Sequence, residues 1–345
     1  MKKKTSLNDI AKKLGVSKTL VSIVLNNHGN ERGISKVTQK KVWKVAEQLN
    51  YKPNLVARGL RLGSSKTIGL IVADISNIFF STIARSVEDS AGKRGYNVMY
   101  MSSDENEQKE IDLINMLKGR QVDGLILVTA LKNRAEIVRL KQEHFPFVLI
   151  DRYCPNLKTN YVIVDNRMGA FSMTEHLIKC KHHKIGLLRI SPSQISPIVD
   201  RVRGYKDSLK KHGIRVDKRL IREIPYGKIK HTIETELKKL LRPPLRVEAL
   251  FFLNNMLAIA GIEVVHKMGL RIPQDVAVVS FDDIELFQYS YPTITSVAQP
   301  VEEIGKKAVE ILQEEIDQGG RMKLKKQIIL PTELVLRRSC GYFLT

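Results

Sequence analysis

Cysteine is scarce in this chain and widely scattered. Cys154, Cys180 and Cys340, among 345 residues, supply neither a disulfide framework nor the ligands of a four-cysteine zinc site. Such usage fits a reducing compartment. Long apolar runs are also missing, and none approaches the ~18 residues of a spanning helix, which excludes an integral membrane protein. The start, Met1-Lys2-Lys3-Lys4, has the basic end of a signal peptide, but Thr5-Ser6-Leu7-Asn8-Asp9 stands where its apolar core would be. Export is not expected, and a cytoplasmic protein is.

Catalytic fingerprints are missing too. Neither GxSxG nor GxGxxG occurs. Gly63-Ser64-Ser65-Lys66-Thr67 lacks the first glycine of a phosphate loop and precedes a strand instead of following one, so it reads as a linker. Cys180, His182 and His183 crowd a helix-to-strand turn with no second group of ligands, and no metal site is expected from them. The pair Asp282-Asp283 has no nucleophile beside it. These gaps predict a protein that is not an enzyme and needs no cofactor.

What the chain has in excess is positive charge, +21 in all, unevenly placed. Residues 1–65 hold 14 Lys and Arg against three acids, a net +11, while the remaining 280 residues carry +10. A compact basic head on a larger, more balanced body is the charge footprint of a nucleic-acid binder, because phosphate attraction follows local positive density.

The head reads as three short helices. Ser6 caps the first, with Leu7, Ile10, Ala11 and Leu14 on one face, and Gly15 ends it. Ser17 caps the second, in which Val21, Val24 and Leu25 face inward and Lys18, Thr19, Ser22 and Ile23 lie on or near the outward side. Ser35 caps the third, whose stripe is Val42, Val45, Ala46 and Leu49; Trp43 is expected to pack. Two helices about a glycine turn make a helix-turn-helix.

Residues Leu7-Asn8-Asp9-Ile10-Ala11-Lys12-Lys13-Leu14-Gly15-Val16-Ser17-Lys18-Thr19-Leu20-Val21-Ser22-Ile23-Val24-Leu25-Asn26 resemble the opening motif of the LacI/GalR family of bacterial transcriptional regulators. Tyr51-Lys52-Pro53-Asn54 and Ala57-Arg58-Gly59-Leu60-Arg61 resemble that family's hinge, which becomes helical on operator DNA and wedges a leucine, here Leu60, into the minor groove. The resemblance implies DNA contacts from Ser6, Ser17, Lys18, Thr19, Leu20, Ser22, Ile23 and Asn26 in the head, and from Asn54, Ala57, Leu60 and Arg61 in the hinge. Two positions depart from the family. Leu20 stands where threonine is usual and Ile23 where arginine is common, so apolar contact replaces a bidentate reading of guanine.

From Lys66 onward, apolar strands alternate with amphipathic helices, which implies parallel sheets covered on both faces. The predicted architecture is α/β: head 1–50, hinge 51–65, and a two-lobed, periplasmic-binding-protein-like body over 66–345. A seam near 162–166 comes from the strand pattern, and the resemblance adds crossings near 292–295 and 326–330. Polar residues follow the strands where open α/β sheets bind ligands: Asp74, Ser102, Thr129 and Asp151 in the first half, Asn254 and Asp282 in the second. The resemblance adds Arg201, Phe79 and Phe80 as effector contacts, and here Asn254-Asn255 replaces the usual Asn-Asp pair. Carboxylates accepting from hydroxyls, a guanidinium fork and an aromatic face suit a sugar or similar polar metabolite. The expected protein is a homodimeric repressor on a palindromic operator, controlled by that effector. A stand-alone sugar-binding protein and a sugar-acting enzyme are the weaker readings. No leucine heptad follows Arg338, so a tetramer-forming helix is not expected.

Overall fold

The structure is a computed structural model describing residues 5–51, 63–130 and 134–342, which divide between two compact units on either side of the Ser65 to Lys66 boundary.

In the smaller unit, α1 (Leu7–Leu14) begins at Ser6, whose backbone N–H and hydroxyl both donate to the Asp9 carboxylate, at 2.8 and 2.7 Å. That places negative charge in the first turn, where the helix dipole favours it. Gly15, at φ 63°, ends the helix in the left-handed region that glycine enters without strain. Ser17 accepts from the Leu20 N–H at the start of α2 (Lys18–Leu25), and Ser35 accepts from the Thr38 N–H at the start of α3 (Lys36–Gln48). Ile10, Ala11, Val21, Val24, Val42 and Ala46 form the core between them. Val45 and Leu49 pack at its edge. Trp43 does not pack as expected: it is 46% exposed, because Val42 and Ala46 take the inward face of α3 and position 43 turns away from it.

The larger unit contains two sheets. The first takes β1 (Thr67–Val72), β2 (Asn97–Ser102), β3 (Gly124–Leu127), β4 (Phe147–Ile150), β5 (Tyr161–Val164) and β11 (Gln327–Leu330), all parallel, in the order β11-β5-β4-β3-β1-β2. The second takes β6 (Ile185–Ser191), β7 (Ile221–Pro225), β8 (Ala249–Phe252), β9 (Ala277–Phe281), β10 (Thr295–Ala298) and β12 (Glu333–Val335), in the order β12-β10-β9-β8-β6-β7, with only β12 antiparallel to its neighbour. Parallel neighbours require crossovers, supplied by α4 (Ile78–Gly92), α5 (Glu107–Gly119) and α6 (Ala135–Gln142) in the first lobe and α7 (Asn166–Lys179), α8 (Ser196–Lys211), α9 (Ile229–Leu241) and α10 (Asn255–Lys267) in the second. A short α11 (Leu286–Tyr289) and a long α12 (Val301–Asp317) complete the set.

Burial follows from this layering. Ile68, Leu70 and Val72 of β1 face one core cluster of the first lobe while Ile71 faces another, so a strand without polar alternation is buried on both sides. In the second lobe α7 and α8 pack closely because Gly204 has no side chain: a Cβ there would lie 2.0 Å from the Arg167 carbonyl oxygen.

The chain passes between lobes three times. The first passage, directly after Val164 at the end of β5, falls inside the expected seam. Of the other two, the second lies later than expected and the third adjoins the end of the expected stretch. Residues 292–295 belong to the turn into β10 of the second sheet, and the passage follows Ala298; residues 326–330 contain β11 of the first sheet, and the passage follows Leu330. The second is displaced because β10, Thr295–Ala298, carries the chain on through the second sheet before it crosses.

Candidate functional site

In the smaller unit, the two helices of the motif present a polar surface whose members are held by local bonds. Ser6, Ser17, Lys18 and Thr19 are exposed around the starts of α1 and α2, and Ser22, Ile23 and Asn26 are partly exposed further along α2. The Asn26 amide donates to the Ser22 carbonyl at 2.6 Å, which fixes its side chain against the helix. Leu20 sits differently, packed partly buried against the helical core. Asn54, Ala57, Leu60 and Arg61 lie outside the described residues.

In the larger unit, the carboxyl ends of β1, β4, β8 and β9 meet helices α4 and α8 around a cleft between the lobes. All seven expected contacts line it: Asp74, Phe79, Phe80, Asp151, Arg201, Asn254 and Asp282. The reason is topological, since loops after parallel strands emerge at one edge of each sheet. Each side chain is held in place. The Asn254 side chain caps α10 by accepting from the Leu257 N–H at 2.9 Å, and Asp74 accepts from the Ser76 N–H and hydroxyl at 2.9 and 2.6 Å. Phe79 and Phe80 meet edge to face with centroids 5.1 Å apart. Asp151 and Asp282 both adopt left-handed backbone, φ 62° and 70°, which turns the chain sharply at the strand ends.

Arg201 is held from several sides. Its Nε donates to Asn166 Oδ1 at 2.7 Å, its Nη1 donates to the Leu253 carbonyl at 2.6 Å, and its guanidinium stacks on Phe281 at 3.6 Å. Asp282 lies 3.6 Å from it, and both side chains are nearly fully buried. The pair therefore does not face open water. Burial lowers the Arg201 pKa and raises that of Asp282, and each charge offsets the shift of the other. The Gln299 amide also donates to Asp282, at 2.6 Å. Asp151, wholly buried, has its pKa pushed up to about 6 by desolvation against the pull of Arg152 and Arg201.

Several lining residues escaped the sequence reading. Arg152 forms a bidentate pair with Glu105 and donates to the Thr129 carbonyl at 3.1 Å; burial opposes its charge, but the Glu105 carboxylate outweighs burial and raises its pKa. Tyr226, from the second lobe, donates its hydroxyl to Asp74 of the first at 3.0 Å, and Asn255 donates to Asn77 across the same gap at 3.0 Å. The signal for Arg152 was available, since it adjoins Asp151 at a strand end. Tyr226 had none, because Ile221–Pro225 is too polar to announce a strand. Ser102 and Thr129 do not line the cleft: the Ser102 hydroxyl joins Asp104 and the Ile75 N–H in a turn.

The free volume of the cleft is about 50 Å³. Ligand clefts usually exceed roughly 300 Å³, so entry of a metabolite requires the lobes to part. No helix among the described residues is long and apolar enough to cross a membrane.

Comparison with known proteins agrees with this architecture. Residues 6–54 match the family described as bacterial regulatory proteins, lacI family, and residues 174–340 match the periplasmic binding protein-like domain. The ribose operon repressor of Halalkalibacterium halodurans is 33% identical over 337 residues, covering 97% of each chain. The transcriptional regulator KdgR of Bacillus subtilis is 32% identical over 344 residues, covering 98% of this chain and all of its own. Among solved structures, the lac repressor dimer bound to operator and the anti-inducer ONPF superposes with a TM-score of 0.84 at 25% identity, over 98% of this chain and 99% of that one. The complex of the regulator CelR with cellobiose has a TM-score of 0.71 at 26% identity, over 97% and 100%.

Proposed function

Since this chain belongs to the LacI family of bacterial regulatory proteins, we propose that it is a cytoplasmic transcriptional repressor, working as a homodimer on a palindromic operator and controlled by a carbohydrate-like effector in the inter-lobe cleft. The observation that carries the reading is the convergence of all seven expected residues on that cleft, closed by the bonds of Tyr226 to Asp74 and of Asn255 to Asn77.

The chemistry of the lining favours a neutral, hydroxyl-rich ligand. Asp74, Glu105, Asp151 and Asp282 outnumber Arg152 and Arg201, so an anionic ligand would meet an excess of negative charge. Carboxylates accept from hydroxyls, and Phe79 and Phe80 offer an apolar face for the carbon skeleton. The names of two relatives, a ribose operon repressor and a regulator solved with cellobiose, point the same way.

Ligand in the cleft alters lobe geometry, and a dimer converts this into a change in the spacing of its two heads. Lys18, Thr19 and Ile23 set the base preference, and the hinge carries Leu60 into the minor groove. Dimerisation is supported by the likeness to the lac repressor, solved as a dimer bound to operator. The relatives are regulators, and this reading needs no catalytic step.

The test has two stages. A thermal-shift screen of sugars and sugar derivatives identifies the effector, because a ligand specific to the folded state raises its melting temperature. Fluorescence anisotropy on operator fragments selected from genomic DNA then measures its influence on DNA affinity. Equal affinity for random duplex, with no change on adding a confirmed ligand, overturns the proposal.

A further inference from the structure

Far along α7 from the cleft, the fold brings together three side chains that the sequence keeps apart. His176 and Cys180 lie four residues apart, at the C-terminal end of the helix, and so share one face. Cys340 arrives from the last described segment of the chain. All three are buried, and their ligand-type atoms lie within 4.8 Å of one another. Asn166, which holds Arg201 in the cleft, starts the same helix, about 15 Å from His176 at 1.5 Å per residue.

We propose that His176, Cys180 and Cys340 form a binding site for a zinc-type metal ion, which fastens the C-terminal segment to the second lobe. Geometry carries the proposal. With bonds of about 2.0 Å to nitrogen and about 2.3 Å to sulfur, a tetrahedral ion holds its nitrogen and sulfur ligands about 3.6 Å apart. His176 Nε2 lies 3.3 Å from the Cys340 sulfur and 3.7 Å from that of Cys180. The ligands are therefore spaced for an ion before one binds.

Their surroundings hold the group in place. The Thr295 hydroxyl donates to the Cys340 sulfur at 3.3 Å. Cys340 is held by its neighbour Ser339, which accepts from the Thr295 N–H at 2.8 Å and donates to the Val278 carbonyl at 2.6 Å. His182 flanks the group, with its Nε2 at 3.0 Å from the Cys340 carbonyl oxygen. On binding, the two thiols release their protons to solvent and no electrons move. The expectation of no metal rested on Cys180, His182 and His183 alone; His176 and the distant Cys340 supply the partners that turn lacked.

The experiment uses the untagged full-length protein, reduced and stripped with a chelator, then titrated with Co2+. A sulfur-to-cobalt charge-transfer band saturating at one ion per chain, with the visible bands of tetrahedral cobalt and displacement by Zn2+, is the expected result. Cys340→Ser and Cys180→Ser should each weaken binding by at least about tenfold, with the fold checked by circular dichroism. Cys154→Ser, in the first-lobe core, should leave the band unchanged. If Cys340→Ser does not fold, Cys180→Ser at the helix end decides alone. Lack of a charge-transfer band in the wild type, or an equal band in the Cys180→Ser protein, overturns the proposal. So does loss of two thiols on mild oxidation without cobalt binding, which would make Cys180 and Cys340 a redox pair.

Discussion

Tyr226 donates its hydroxyl to Asp74 at 3.0 Å, and this bond joins the two lobes across the cleft. Burial first, and then the Asp74 carboxylate, raise the Tyr226 pKa, so the phenol remains a donor at neutral pH. A hydrogen bond to a charged group contributes about 1.5–3 kcal/mol. Tyr226→Phe removes it without changing the ring. The dissociation rate of a ligand found by the screen should then rise at least about tenfold, measured by stopped-flow. An unchanged rate would mean that the bond does not hold the cleft shut.

Arg201 and Asp282 need conservative substitution, because they are a buried pair and not a solvated one. Arg201→Ala leaves Asp282 charged and uncompensated, at a cost of about 3–5 kcal/mol in folding stability. Asp282→Asn keeps an acceptor for Gln299 and removes the charge. The expected outcome is a protein that folds, binds operator, and no longer responds to effector. Calorimetry with and without DNA checks it, since coupling between the two ligands must be reciprocal. Wild-type effector affinity in this variant would place these residues behind the site and not in it.

The proposed function divides DNA reading between head and hinge. Log affinity should fall with log salt by about 0.9 per phosphate neutralised. Ile23→Arg should shift selection from a random library toward guanine at one position of each half-site. Leu60→Ala should lessen DNA bending while leaving effector affinity intact. A common consensus for wild type and Ile23→Arg removes Ile23 from the base-reading surface, and unchanged bending removes the wedge.

Stability should respond to pH through Glu110. Burial pushes its pKa up to about 7, although the Ala130 N–H donates to it at 2.7 Å. The folded state thus holds a proton that the unfolded chain has already lost, and its stability declines as pH rises from the ordinary carboxylate range through about 7. The contribution is on the order of 3 kcal/mol. Asp151, at about 6, acts in the same direction, whereas His176, lowered by burial, acts in the opposite one. Urea unfolding at several pH values should show Glu110→Gln gaining on the wild type from pH ~5 to pH ~8. Parallel curves would show that Glu110 is ionised in the folded protein.

Gly204→Ala tests how Arg201 is aimed. The new methyl would meet the backbone of α7, at the Arg167 carbonyl oxygen and the Phe171 nitrogen, and backbone cannot rotate away. The helices must separate, which costs about 3 kcal/mol or more. Thermal melting should fall by several degrees, and effector response should weaken with it because Arg201 lies one helical turn earlier. A melting temperature within a degree of wild type would contradict the packing described.

What sequence revealed followed from local rules. Caps at Ser6, Ser17 and Ser35 and the apolar stripes they precede settle the head, since each rule acts within a few residues. The first cleft residues were legible because parallel strands put their carboxyl ends on one edge. Residues reaching the cleft from elements without an apolar signature were not legible, and Tyr226, beyond the half-exposed β7, is the clearest case. Trp43 was misjudged by residue type where helical phase decides. His176 and Cys340 are 164 positions apart, and no local pattern links them.

The division of the first sheet between distant stretches of chain bears on synthesis. Its β5 pairs with β11, and α12 packs on its core beside α4, so the lobe stays incomplete until residue 330 has left the ribosome. Among the described residues, the core of the head lies within residues 7–51. At roughly 5–20 residues per second, it precedes the finished body by tens of seconds. During that interval a nascent chain presents a completed basic head ahead of the body that follows it.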